Sequence, residues 1–349
     1  MNVTLRIFQA METGSHTPSS PLKNIPSRTY LGRADSVVLP ATQLGGVLMP
    51  QPTALVTSER TTVPMELVHR RRTQDVVPTD WTHISGDRFL VRGTWPDNHR
   101  FFAPRNGLYD PLLLVESMRQ STILIGHGAY DVPADHHFLM WGLDFTTDPG
   151  HLAVRYGPEV ELEVELSGIT RSSGRLSGMH SHVTVRLGRH TAGTGISRIK
   201  VLSAKTYARI RGDLPVAPPA ASPAVLAPPP RVGRTRPEDV LLVPTGRAGR
   251  WQLRVDTSHP TLYQGPKDHI PGMVLIEAAR QAAHAVSGPA AFLPSRGGNA
   301  FHRYAEFRSP LWIEAVRQPD GHTVHVTGRQ DGRAVFTSSV TVGGAGEIR

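Results

Sequence analysis

Two stretches of this chain, on either side of a proline-rich segment, read as versions of one another. Trp95–Gln120 is WPDNHRFFAPRNGLYDPLLLVESMRQ, and Ser258–Gln281 is SHPTLYQGPKDHIPGMVLIEAARQ. Each runs from a His through an aromatic pair or Leu-Tyr to a loop with Gly and Pro. Each then reaches a Pro, an apolar run and Glu-x-x-Arg-Gln. His99 lies 17 residues before Glu116, and His259 lies 18 before Glu277. A repeat at roughly 160 residues means duplicated domains, since solenoid repeats recur every 20–50 residues or so.

The rest of the chain fits two domains. Residues 1–58 form an N-terminal extension rich in Ser, Thr and Pro. A first domain covers 59–212. Residues 213–238 (DLPVAPPAASPAVLAPPPRVGRTRPE) form a Pro/Ala-rich linker, whose prolines favour an extended chain. A second domain covers 239–349. Within each domain the apolar run is predicted to be a helix, over 111–127 and 271–286, because each opens on Pro (Pro111, Pro271), a residue suited to a helix's first turn. Strands are predicted ahead of the helices at Arg88–Arg92 and Trp251–Val255. After the first helix they are expected at Phe138–Phe145, Val160–Leu166, His182–Leu187 and Ile196–Ile210. After the second they are expected at Tyr304–Phe307, Leu311–Val316, Thr323–Gly328 and Ala334–Val342. One long apolar helix followed by an antiparallel meander, twice, is the pattern of an α+β tandem double hotdog fold. Two antiparallel sheets each wrap a central helix and pair as a pseudo-dimer.

Composition excludes several chemistries. The chain has no Cys, so disulfides, thiolate zinc sites, iron–sulfur clusters and a cysteine nucleophile are absent. No spacing supports a metal, and no cofactor is implied. The net charge is +9, but no helix-turn-helix is apparent, so no nucleic-acid partner is expected. No apolar run reaches membrane length and no secretory signal is apparent; the expected location is the cytoplasm.

The candidate chemistry lies on the two helices and the loops before them. Glu116, Arg119 and Gln120, like Glu277, Arg280 and Gln281, fall at i, i+3 and i+4, on one helix face. Charge on a central helix is costly unless it pairs or meets a ligand. Apolar surroundings are expected to raise the pKa of Glu277 and suit it as a base. Asp268-His269-Ile270-Pro271-Gly272 brings a His and a close-approach Gly to a helix N-terminus, where a thioester carbonyl can be polarised. His99 is a candidate substrate ligand. Arg70-Arg71-Arg72, His83 and His136-His137 are read as solvated surface.

The blocks LVHRRRTQDVVPTDW, TWPDNHRFF, YDPLLLVESMRQS and SHPTLYQGPKDHIPGMVLIEAARQAAHA resemble the A-factor biosynthesis hotdog family of actinomycetes. The resemblance spans most of the chain outside the extension and linker. It implies an acyltransferase that moves a beta-ketoacyl group from acyl carrier protein to the hydroxyl of dihydroxyacetone phosphate. The ester would close by an aldol-type condensation to a butenolide phosphate, a precursor of signalling gamma-butyrolactones. It also implies Glu116, Arg119, Glu277 and Arg280 as functional residues, with Arg280 or Arg119 on the phosphate. Where the family shows Phe-Asp-His-Pro, this chain reads Tyr263-Gln264-Gly265-Pro266 and lacks that His. A hotdog thioesterase or dehydratase on acyl carrier thioesters, and a non-catalytic butyrolactone-binding regulator, are the alternatives.

Overall fold

The computed structural model describes residues 63–212, 225–265, 267–288 and 293–342. The expected extension at 1–58 lies outside them. In chain order the first half holds β1 (Pro78–Ser85), β2 (Arg88–Thr94), helix α1 (Pro111–Ala129), β3 (His137–Thr147), β4 (Glu159–Ser172), β5 (Arg175–Leu187), β6 (His190–Leu202) and helix α2 (Ala204–Arg211). The second half holds β7 (Leu242–Pro244), β8 (Arg250–Leu253), helix α3 (Gly272–Ser287), β9 (Pro294–Phe301), β10 (Trp312–Arg317), β11 (Thr323–Gln330) and β12 (Arg333–Val342).

All twelve strands among the described residues join one antiparallel sheet in the order β1-β2-β4-β5-β6-β3-β9-β12-β11-β10-β8-β7. Adding six to each first-half number gives the second half's order read from the opposite edge. The duplication therefore holds in topology as well as sequence. The two halves meet where β3 pairs antiparallel with β9 (Asp144 opposite Gly298, Phe145 opposite Gly297). This is the paired double hotdog that the repeat predicts.

Local sequence explains the elements. In β4, Val160, Leu162, Val164 and Leu166 point inward, while Glu159, Glu161 and Glu165 are exposed. That period-2 pattern belongs to a sheet with one wet face. Helix α1 starts at Pro111 and is capped by the Asp110 carboxylate, which accepts from the Leu112 N–H at 2.8 Å. Almost all of its residues are buried, because strands surround it. Each buried Leu or Val contributes roughly 1.5–3 kcal/mol.

Three expectations change. Tyr304–Phe307 is not a strand; Ala305 makes a single bridge to Ile270. The missing strand is β9, obscured in the sequence by Gly297 and Gly298, which have low strand propensity. A Cβ on Gly297 would overlap the Phe145 ring, so the seam requires glycine there. The predicted strand at Ile196–Ile210 ends at Leu202. Ser203 then caps α2, its hydroxyl accepting from Thr206 N–H at 3.2 Å. The Pro-rich segment is not extended throughout. Pro229–Val232 and Pro237–Asp239 form 3-10 turns, matching Met65–Val68 and Thr73–Asp75 in the first half.

Gly297→Val is expected to destabilise the protein by about 1–3 kcal/mol through overpacking at the seam. Gly298→Ala places a Cβ 3.6 Å from its nearest neighbour, Asp144 Oδ1, and should cost much less. Urea unfolding of the two variants checks this; equal midpoints would refute it.

Candidate active site

The Glu-x-x-Arg-Gln stripes build the same network twice. In the first half Arg119 donates to Glu116 through Nε at 3.0 Å and Nη2 at 3.0 Å. Arg70 donates through Nε at 2.8 Å. Gln120 donates to Glu116 at 2.6 Å and to the Asp75 carbonyl at 2.7 Å, and accepts from Val77 N–H at 2.9 Å. In the second half Arg280, Arg234 and Gln281 bond Glu277 at 2.9, 2.8 and 2.6 Å. Gln281 also bonds the Asp239 carbonyl and the Leu241 N–H. Each stripe therefore locks its helix to the segment before it.

Charge pairing decides the state of both carboxyls. Burial pushes Glu116 up, but Arg119 and Arg70 outweigh it and hold its pKa at about 2. Burial likewise raises Glu277, and Arg234 and Arg280 drive it far below the usual carboxylate range. The expected elevation of Glu277 does not occur. A carboxylate pinned by two guanidiniums is a poor proton acceptor at neutral pH.

His99 is also structural in its contacts. Its Nδ1 accepts from the Phe101 and Phe102 N–H groups at 3.1 Å, and its Nε2 faces Asp75 at 3.0 Å. His259 repeats this with Thr261, Leu262 and Asp239. Both rings lack a free nitrogen for a substrate.

The two networks differ in what lies next to them. Beside the first is a cavity of about 250 Å³ that carries Arg70 and Arg119 on one wall and the α3 N-terminus, Pro271–Met273, on the other. No side chain caps α3, and Val274 N–H turns back to the Pro271 carbonyl at 3.0 Å, so the Gly272 and Met273 N–H groups are the ones left for a ligand. His269 lines the same cavity. Its Nδ1 lies 2.6 Å from Asp268 Oδ1. Asp268 is held in turn by Tyr207 Oη at 2.8 Å and Arg211 Nε at 2.8 Å. Burial opposes ionisation of Asp268, but its bond to His269 and the nearby charges keep it a carboxylate. His269 therefore donates through Nδ1, which leaves Nε2 as a proton acceptor. The Tyr304 ring packs on His269 with centroids 4.8 Å apart, and its hydroxyl has no partner among the described residues.

Beside the second network the corresponding space is filled. Arg234 is fully buried and donates to the Phe101 carbonyl at 2.9 Å, and Arg105 donates to the Gly233 carbonyl. Neither Glu277 nor Arg280 reaches the cavity lining. The candidate site is thus composite: the first half supplies the arginines, the second the helix N-terminus and His269.

The A-factor biosynthesis hotdog domain model matches residues 52–203 and 217–343. The chain belongs to the A-factor biosynthesis hotdog family. It is 48% identical over 289 residues to the 2-oxo-3-(phosphooxy)propyl 3-oxoalkanoate synthase of Streptomyces coelicolor, covering 80% of this chain and 91% of that one. The enzyme of the same name from Streptomyces griseus is 46% identical, covering 79% and 94%. That of Streptomyces virginiae is 41% identical, covering 82% and 99%.

Within this family member, several residues at the cavity escaped the sequence reading. Arg70 is not solvated surface but an ion-pair partner of Glu116. His137 lines the cavity and stacks on Tyr207 at 3.6 Å. Lys267 and His69 also line it. A signal for Arg70 existed. Val68-His69-Arg70-Arg71-Arg72-Thr73-Gln74-Asp75-Val76 and Val232-Gly233-Arg234-Thr235-Arg236-Pro237-Glu238-Asp239-Val240 share V-x-R-x-R-x-x-D-V. The second copy straddles the end of the expected linker.

His69 adopts a left-handed backbone (φ 53°), and its counterpart Gly233 does the same (φ 66°). Glycine takes that conformation without the Cβ penalty. His69 Nε2 lies 3.0 Å from His127 Nε2, while His127 Nδ1 bonds the Val132 carbonyl at 2.7 Å. Burial and the Arg119 charge drive the His69 pKa down to about 3, so the ring is neutral.

Two outcomes follow from this geometry. Glu277→Gln leaves Arg234 and Arg280 facing a neutral amide and is expected to cost about 3–5 kcal/mol, read by denaturant unfolding; a wild-type midpoint would contradict the keystone role. His69→Gly should change stability by no more than about 1 kcal/mol, since relief of the left-handed strain offsets the lost bond to His127. Denaturant unfolding that shows a much larger loss would contradict that balance.

Proposed function

We propose that this protein transfers a 3-oxoacyl group from a thioester to the primary hydroxyl of dihydroxyacetone phosphate, making a 2-oxo-3-(phosphooxy)propyl 3-oxoalkanoate. The ester then closes by intramolecular condensation, with loss of water, to a butenolide phosphate. The donor is acyl carrier protein bearing the 3-oxoacyl chain, and the reaction takes place in the cytoplasm. The observation that carries this reading is a single cavity joining two arginines, an uncapped helix N-terminus and an Asp-held imidazole.

Each part has a chemical task. The thioester carbonyl docks at Gly272, where the N–H groups and dipole of α3 favour the negative oxygen of a tetrahedral intermediate. The phosphate binds at Arg70 and Arg119, which Glu116 holds in fixed orientation. His269 takes the hydroxyl proton at Nε2 as the oxygen attacks the thioester carbon. The intermediate collapses, the carbon–sulfur bond breaks, and His269 returns the proton to the departing thiolate. Asp268 keeps the imidazole in the required tautomer and stabilises its transient charge. Glu116 and Glu277 act as positioning residues rather than as bases, and Gln120, Gln281 and His99 secure the frame around them.

No metal step is invoked, and no group of His, Asp or Glu suited to hold a metal occurs among the described residues. No described helix is long and apolar enough to cross a membrane.

The test is mass spectrometry of products from purified protein, a 3-oxoacyl carrier protein and dihydroxyacetone phosphate. The phosphorylated ester, or its butenolide, is expected only when the triose is present. Free 3-oxo acid at the same rate with and without triose would identify a thioesterase instead. His269→Gln is expected to lower kcat by about 10²–10⁴-fold; wild-type turnover would remove His269 from the chemistry.

A further inference from the structure

We propose that Lys267 binds the acceptor's phosphate dianion and sets the preference for a phosphorylated over an unphosphorylated acceptor. This role presupposes the synthase reading above and names the residue that discriminates between acceptors.

Charge arithmetic at the cavity points to it. Arg70, Arg119 and Lys267 all line the cavity. The one carboxylate paired with the two arginines among the described residues is Glu116. With Arg303 also on the lining, four positive charges less one negative leave three unmatched, enough to match a dianion. A phosphate monoester carries close to two negative charges near neutral pH. The nearby Asp268 is already committed to Arg211, Tyr207 and His269. Much of the donor capacity of the arginines is spent too: Arg119 bonds Glu116 and the Val68 carbonyl, and Arg70 bonds Glu116. Lys267 makes no hydrogen bond or ion pair among the described residues, so its three donors are unspent.

The duplication supplies an internal control. The second network also receives a third cation from the opposite half, Arg105, which lies near Arg234 and Arg280. There the guanidinium donates to the Gly233 carbonyl, and the space is filled. Lys267 stands in the same relation to the first network, with an open cavity in front of it. A half-buried ammonium without a partner is unfavourable, and a dianion entering the cavity removes that cost.

The neighbours set the pH behaviour. Burial, then Arg119, Arg70 and Arg71, lower the Lys267 pKa to about 8, with Asp268 pulling it back up. His69, His137, His269, Tyr207, Tyr304 and Arg303 share the cavity wall, and His69 is neutral. Lys267 is therefore charged at pH 7 and loses its proton between pH 7 and 9.

The experiment compares wild type, Lys267→Met and Lys267→Arg with a 3-oxoacyl carrier protein and either dihydroxyacetone phosphate or dihydroxyacetone. Lys267→Met should raise KM for the phosphorylated acceptor by about tenfold to a hundredfold, the size of one charge-assisted hydrogen bond. The ratio of kcat/KM values for the two acceptors should fall by the same factor, and Lys267→Arg should recover much of it. Wild-type KM should climb from pH 7 to 9, and this rise should disappear in Lys267→Met. An unchanged ratio in Lys267→Met would overturn the assignment. A second arm uses inorganic phosphate alone. It should raise the thermal midpoint of wild type more than that of Lys267→Met at the same phosphate concentration. If neither acceptor yields ester, the synthase reading fails, but equal stabilisation of both proteins by phosphate would still separately overturn the role of Lys267.

Discussion

A carboxylate sealed inside a protein has to be matched charge for charge, and this molecule solves that problem twice with the same parts. Glu116 and Glu277 each sit beneath two guanidiniums and one amide. The amide in each case also clamps the backbone of the preceding segment, at Asp75–Val77 and Asp239–Leu241. Such buried ion clusters are weak contributors to net stability, because desolvation offsets much of the attraction. Their effect is geometric. A central helix surrounded by Leu and Val can turn about its axis at modest cost. One that must bring Glu, Arg and Gln to fixed partners cannot.

That fixed frame lets the two halves diverge around it. The copies keep topology, network and the left-handed residue before the arginine. They differ in what faces the network. In the second half Arg234 is buried beneath Phe101 and Arg105 bonds the backbone at Gly233. In the first, His69 replaces Gly233, the space stays open, and Lys267 has no partner among the described residues. One copy is a packed support and the other carries the proposed site. Loops cross between them: Gln264 of the second half accepts from Arg71 N–H of the first at 2.8 Å. Neither half alone has the full set of groups.

Much of this was legible in the sequence, in proportion to how local its causes are. The helices at Pro111 and Pro271 and the meander strands follow from periodicity and turn residues, and the repeat dictates the pairing. Strand β9 was hidden because Gly297 and Gly298 answer to a tertiary demand, the Phe145 ring across the seam, which no local propensity expresses. Helix α2 was hidden because its anchors, Tyr207 and Arg211, bind Asp268 from far along the chain. The stripes were visible, but the sign of the Glu277 pKa shift was not. It depends on Arg234, a residue inside a segment that composition marks as linker. Arg70 was obscured in the same way by two flanking arginines.

Those facts change how the acid–base work is divided. A glutamate held by two guanidiniums would lose both pairings on taking up a proton, so its proton affinity at neutral pH is negligible. His269 instead bonds Asp268 through Nδ1 and keeps Nε2 as an acceptor. The same cavity then has to favour a triose hydroxyl over water. Basicity cannot make that choice, since a base at hand activates either nucleophile. Anchoring can. In the proposed reaction, a phosphate fixed by two oriented arginines and a lysine holds its hydroxyl beside the thioester at an effective concentration far above that of a freely diffusing acceptor. Transfer outruns hydrolysis to the extent that the far end of the acceptor is gripped. The cationic wall of the first half and the imidazole of the second are thus two requirements of the proposed reaction, which is a physical reason for a duplicated chain to keep one site built from both halves.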